Sequence, residues 1–112
     1  MATKQTEINF KIDLDENNIP EKMNWSATDG QEEEKSCEAV MMSIWDKSEN
    51  TALRIDLWTK DLLMDEMKMF IHQTMVTLAD TYERSTNDDK LANDMRDFCK
   101  YFEEKADIYG KE

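Results

Sequence analysis

The hydrophobic period of this chain changes between Trp58 and Leu63, and that change constrains its fold more than any other feature. Val40, Met42 and Ile44, then Leu53, Ile55 and Leu57, recur at every second residue, as in strands with one buried face. From Leu63 the spacing widens to Met67, Ile71, Met75, Leu78 and Tyr82, one side of a helix. A second apolar stripe follows at Leu91, Met95, Phe98, Phe102 and Tyr109. Ahead of all this, Ile8, Phe10, Ile12 and Leu14 alternate with Glu7, Asn9, Lys11 and Asp13, and Met23, Trp25 and Ala27 alternate in the same way. The order is strands first, helices last. The expectation is an α+β domain spanning residues 1–112: a four-stranded antiparallel sheet built from two hairpins, with two C-terminal helices packed on one face.

Register follows from keeping apolar groups together. Pairing Leu14 with Glu21 sets Ile12 beside Met23 and Phe10 beside Trp25 across the turn Asp15-Glu16-Asn17-Asn18, where Asn tolerates the left-handed conformation. Strands Cys37–Trp45 and Thr51–Thr59 then pair Ile44 with Leu53, Met42 with Ile55 and Val40 with Leu57. A slip of one residue would reverse the whole apolar set. Residues 28–36, with Gly30 and Glu32-Glu33-Glu34, form an exposed, mobile connection. The first helix runs from Leu62 to Arg84 with Asp61 as cap. Thr86 caps the second, and Gly110 stops it.

Composition excludes several functions. A chain of 112 residues is one domain by size, and 14 Lys and Arg against 26 Asp and Glu leave a net charge of −12. Such a field repels phosphate, which argues against nucleic acid and anionic membranes and favours basic partners. A solvated acidic surface that simply keeps the protein soluble is the better account of the charge. The N-terminal residues lack the apolar run of a signal peptide, and no uncharged stretch approaches the ~20 residues of a membrane helix. Cys37 and Cys99 lie far apart and read as small hydrophobes in a reducing compartment, so the expected location is cytoplasmic.

Catalytic and ligand-binding motifs are weak. Residues 13–18 space their oxygen donors like a calcium loop, but Asn18 stands where that loop needs Gly, and Asn24 where it needs a closing Glu. A solvated turn is the better reading. His72 is the only histidine and sits at the boundary of its helix, which suits a hydrogen-bonded structural role. With two glycines in the chain, no loop can cradle a phosphate. Neither an enzyme nor a cofactor or metal is expected.

The second face of the sheet offers more. On the later two strands it carries Ala39, Met41, Trp45, Ala52 and Trp58, interrupted by Ser43, Arg54 and Asp56. Met41, Trp45, Arg54 and Trp58 are therefore the candidate protein-interaction face, covered by a foreign partner or by a homo-oligomer. The alternative tucks both tryptophans under the 28–36 connection or a helix end.

One resemblance spans nearly the whole chain. Leu53-Arg54-Ile55-Asp56-Leu57-Trp58-Thr59-Lys60-Asp61, Asp65-Glu66-Met67, His72-Gln73-Thr74 and Ala79-Asp80-Thr81-Tyr82-Glu83-Arg84 closely resemble the gliding motility-associated GldC family of Bacteroidetes. Leu14-Asp15-Glu16-Asn17-Asn18, Pro20-Glu21-Lys22, Ser43-Ile44-Trp45-Asp46, Asp94-Met95-Arg96 and Lys100-Tyr101-Phe102 also fit. The resemblance implies a small soluble cytoplasmic accessory protein of the gliding machinery with no known enzymatic activity, and it assigns no site residue. Its partners would belong to the motility or export apparatus. The element order is also that of the SecB export chaperone, which makes a holdase for exported clients the alternative, although fold does not fix function.

Overall fold

The computed structural model describes residues 3–109, which fall into two compact units divided between Leu62 and Leu63. The first unit holds five strands: β1 (Ile8–Leu14), β2 (Pro20–Ala27), β3 (Lys35–Cys37), β4 (Ala39–Asp46) and β5 (Thr51–Trp58). The second holds the helices α1 (Met64–Thr86) and α2 (Asp89–Ala106). The α+β class stands, but the single four-stranded sheet does not. There are two antiparallel sheets, one ordered β1-β2-β3 and one formed by β4 and β5.

The division falls at Glu38. Cys37 pairs with Met23 in one sheet, whereas Ala39 pairs with Trp58 in the other, so one extended segment changes sheets across a single residue. Thr59 holds the corner. Its N–H donates to the Glu38 carbonyl at 2.9 Å and its hydroxyl to the Glu38 carboxylate, and its side chain is fully enclosed. Just beyond, the Lys60 N–H donates to the Pro20 carbonyl at 3.2 Å.

Within each sheet the apolar alternation sets the register. Ile12 pairs with Met23 and Phe10 with Trp25, as expected, but an irregularity between Asp13 and Leu14 brings Leu14 against Pro20 rather than Glu21. In the second sheet Val40 pairs with Leu57, Met42 with Ile55 and Ile44 with Leu53, all as expected. Asn18 and Asn50 adopt positive φ in the two hairpin turns. The exposed segment from Thr28 to Glu34 includes Gly30 at φ 118°, a conformation that L side chains rarely adopt. Lys35 and Ser36 are strand residues, not loop.

The turn after β1 is organised by Asp15. One oxygen of its carboxylate accepts the Asn17 and Ile19 N–H groups at 2.8 and 3.0 Å, and the other takes the Lys60 ammonium at 2.9 Å. Lys60 first, and the two N–H groups after it, hold the Asp15 carboxyl below the usual carboxylate range. A depressed acid stabilises the fold above its unfolded pKa, and that contribution is lost as pH falls through the folded value. Asp15→Asn should therefore be less stable than wild type at pH 7, with the two urea midpoints converging below about pH 4. Unfolding midpoints measured across that range check this.

In the helical unit both caps lie two residues later than expected. The Leu63 N–H, not an Asp61 side chain, opens α1 by donating to the Glu66 carboxylate at 2.9 Å. Asn87 at φ 60° ends α1, and its N–H returns to the Glu83 carbonyl at 2.8 Å. Asp88 caps α2 through the Leu91 N–H at 3.1 Å and also accepts the Tyr82 hydroxyl at 2.9 Å. Asp107 in the left-handed region closes α2; Gly110, the expected stop, lies outside the described residues. Arg96 of α2 ties to Asp80 and Glu83 of α1 at 2.8 and 2.6 Å. Ala79 and Ala92 are wholly enclosed, so a larger side chain has no room. Ala92→Leu is expected to cost about 1–3 kcal/mol by overpacking, read as a lower thermal midpoint. No helix among the described residues is long and apolar enough to cross a membrane.

Candidate protein-interaction site

Alternation along a two-stranded ribbon puts Ala39, Met41, Ser43 and Trp45 of β4 on the same face as their partners Trp58, Asp56, Arg54 and Ala52 of β5. All four candidate residues, Met41, Trp45, Arg54 and Trp58, share this face. Trp45 is 63% exposed, Trp58 51% and Met41 39%, so neither tryptophan is tucked under the 28–36 connection. At ~3.4 Å per residue the two indoles stand roughly 20 Å apart, one at each end of the ribbon. Between them the Arg54 guanidinium meets the Asp56 carboxylate at 3.3 Å, both largely solvated. An ion pair this exposed contributes little to stability, which leaves Arg54 free to exchange its partner.

Trp58 also borders a cleft of about 260 Å³, lined by Ile19, Pro20, Asp56 and Leu57. Sequence reasoning did not find Ile19 or Pro20 here. They come from the first hairpin turn, more than thirty residues away in the chain, and are held by the Lys60 N–H on Pro20 and the Lys60–Asp15 ion pair. No local pattern marks such a contact. The cleft extends the aromatic face beyond the ribbon at the Trp58 end.

Val40, Met42, Ile44, Leu53, Ile55 and Leu57 share the opposite face of the ribbon, and the strand unit itself puts no layer over Ile44, Leu53 and Ile55. Pairing depends on alternation within two strands, whereas burial needs a further layer, and alternation does not provide one.

The helical unit has an apolar groove of its own. Met75 and Leu78 of α1 with Met95, Phe98 and Cys99 of α2 enclose about 280 Å³ with almost no polar lining, and Leu78 and Phe98 stand half out of it. The expected stripes supply Met75, Leu78, Met95 and Phe98 but not Cys99, and they do not mark the groove between them.

His72 is buried. Its Nδ1 lies 3.3 Å from the Tyr109 hydroxyl, and its ring stacks on Phe102 at 6.3 Å. Glu103 is 3.7 Å from Nε2, too far for a hydrogen bond. The imidazole thus ties the segment after α2 to α1. Burial raises the Cys37 thiol pKa, and the Cys99 thiol likewise, which disfavours the nucleophilic thiolate at both positions. Among the described residues no group of three or more His, Cys, Asp or Glu side chains is placed to hold a metal ion.

Met41, Trp45, Arg54 and Trp58 thus share one face of the ribbon, with the cleft of Ile19 and Pro20 at its Trp58 end. The model of the family described as gliding motility-associated protein GldC-like matches residues 20–108, and the chain belongs to that family. Comparison with curated proteins returned no match, and neither did comparison with solved structures.

Proposed function

We propose that this chain is a non-enzymatic accessory protein of the gliding motility machinery, working in the cytoplasm by holding a protein partner against Met41, Trp45, Arg54 and Trp58. Family membership supports the association with motility. The observation that carries the docking role is the exposure of two tryptophans and a methionine on one face, beside a cleft that can seat an inserted side chain. Together they expose on the order of 400 Å² of apolar surface, within the range of a monomer's largest patch but divided between the two ends of the ribbon. Aromatic, Met and Arg side chains are the types enriched at interface cores. The net charge of −12 favours a partner with a basic rim, which would speed encounter more than it tightens binding.

A second reading, a holdase for exported clients, draws support from the helical groove. Its two methionines and one phenylalanine provide a second adaptable apolar surface. Affinity capture from a gliding bacterium, with wild-type and Trp58→Ala proteins run in parallel, separates the readings. The adaptor role predicts a short set of motility proteins that vanishes with Trp58→Ala. A broad set of unfolded precursors would favour the holdase, and a set unchanged by the substitution would remove Trp58 from the site.

A further inference from the structure

The cleft beside Trp58 has walls from two different sheets. Asp56, Leu57 and Trp58 belong to β5, whereas Ile19 and Pro20 end the turn after β1 and begin β2. Among the described residues no strand ladder joins these walls, because β5 pairs with β4 and β2 pairs with β1 and β3. Lys60 bridges the gap twice, within the strand unit. Its N–H donates to the Pro20 carbonyl at 3.2 Å, and its ammonium donates to the Asp15 carboxylate at 2.9 Å. Lys60 stands two residues beyond Trp58, so one short segment carries the aromatic wall and grips the opposite one. We propose that Asp15 and Lys60 are positioning residues for this cleft, holding Ile19 and Pro20 at the spacing from Trp58 that an inserted side chain of the partner requires. This role rests on the docking reading, which supplies the inserted group.

Asp15 can position a wall because its two carboxylate oxygens act separately. Oδ1 accepts the Asn17 and Ile19 N–H groups at 2.8 and 3.0 Å, which fixes the turn, while Oδ2 accepts Lys60. The Asp15 N–H in turn donates to the Ile19 carbonyl at 2.9 Å, so both backbone groups of Ile19 are held. The Asp15 side chain is 14% exposed against 48% for Lys60, so the acceptor end of the pair is sheltered and screened less by salt than a pair on the open surface. A charge-assisted bond of this kind is about twice as strong as a neutral one. Neither residue is among those lining the cleft, so each acts on a bound side chain only through the walls. A cleft already in shape loses less free energy to ordering when it binds, and loosening its walls weakens binding without removing a contacting group.

Asp15→Asn and Lys60→Met remove opposite halves of the pair. Asn retains an oxygen for the Asn17 and Ile19 N–H groups, so the turn survives and only the charge facing Lys60 is lost. Amide exchange followed by NMR on the full chain needs no partner. The Lys60 N–H should be protected in wild type, and its protection should fall about tenfold in Asp15→Asn with the β4–β5 ladder amides unchanged. Binding is read with the purified protein whose capture depends on Trp58, at a temperature where circular dichroism shows every variant fully folded. Each single variant should raise Kd about tenfold and the double variant no further, since both remove one contact, while Lys60→Arg, which keeps the charge, should stay within about twofold of wild type. Single variants that bind like wild type, an additive double variant, or Lys60→Arg as weak as Lys60→Met would each overturn the positioning role, and loss of binding in Trp58→Ala would still leave the docking reading standing. A Lys60 amide that is unprotected in wild type, or equally protected in Asp15→Asn, would overturn it as well. If no captured protein depends on Trp58, the docking reading falls and this role falls with it.

Discussion

Trp58→Ala should barely change the stability of the protein and should remove most of its affinity for the partner. The indole is half exposed at the end of β5, so its truncation leaves little cavity, and a loss of about 1 kcal/mol or less is expected. At an interface the same side chain would be an anchor beside the Ile19–Pro20 cleft, where truncation typically costs 2 kcal/mol or more, a factor of about 30 in Kd. A core aromatic would behave in the opposite way, losing ~3–5 kcal/mol of stability and binding only through unfolding. A urea melt of each protein beside a calorimetric titration with the captured partner distinguishes the two. A large fall in the unfolding midpoint with the binding constant unchanged would contradict the interface role.

Met23→Ala is expected to produce the largest loss of stability. Met23 sits in the central strand of the three-stranded sheet, paired with Ile12 on one side and Cys37 on the other, and is 2% exposed. Truncating a methionine so enclosed removes its transfer energy and leaves a cavity, for a cost of about 2–5 kcal/mol. Domains of this size have only ~5–15 kcal/mol in total, so the variant should unfold at markedly lower urea. Ile8→Ala is the control. Ile8 pairs in the same sheet but stands largely in solvent, and its loss should be about 0.5 kcal/mol or less. Equal midpoints for the two variants would show that the sheet's burial is not organised around Met23.

The parts of this fold that depend on nearest neighbours could be read from the chain. Alternation of Val40, Met42 and Ile44 against Leu53, Ile55 and Leu57 is a strong local signal, and the second hairpin forms in the expected register. Asn18 takes the left-handed conformation its side chain tolerates. The corner at Glu38 could not be read in the same way. Neither Gly nor Pro marks it, the apolar alternation runs through it, and the bonds that hold it come from Thr59, twenty-one residues later. The caps moved for a comparable reason, because Glu66 reaches back to Leu63 and Asn87 ends α1 before Asp88 can start α2.

At the candidate site, the shared face of Met41, Trp45, Arg54 and Trp58 followed from period two alone. Their exposure did not, since it depends on what lies above the ribbon. Ile44, Leu53 and Ile55 show the same limit: alternation pairs them in the expected register but carries no information on the layer that covers them. Ile19 and Pro20 reach Trp58 only through the long-range tie of Lys60 to Asp15 and Pro20. The family was readable because its separated strings, notably residues 53–61 and 79–84, lie inside the matched region.

If this chain serves gliding through its tryptophan face, a chromosomal replacement in a gliding bacterium should reveal it. The strain would carry Trp45→Ala together with Trp58→Ala, with the amount of protein checked by immunoblot and its fold by the urea midpoint of the purified variant. Colony spreading should be lost or strongly reduced while the protein persists at its normal level. Spreading equal to wild type, at normal protein level, would contradict it.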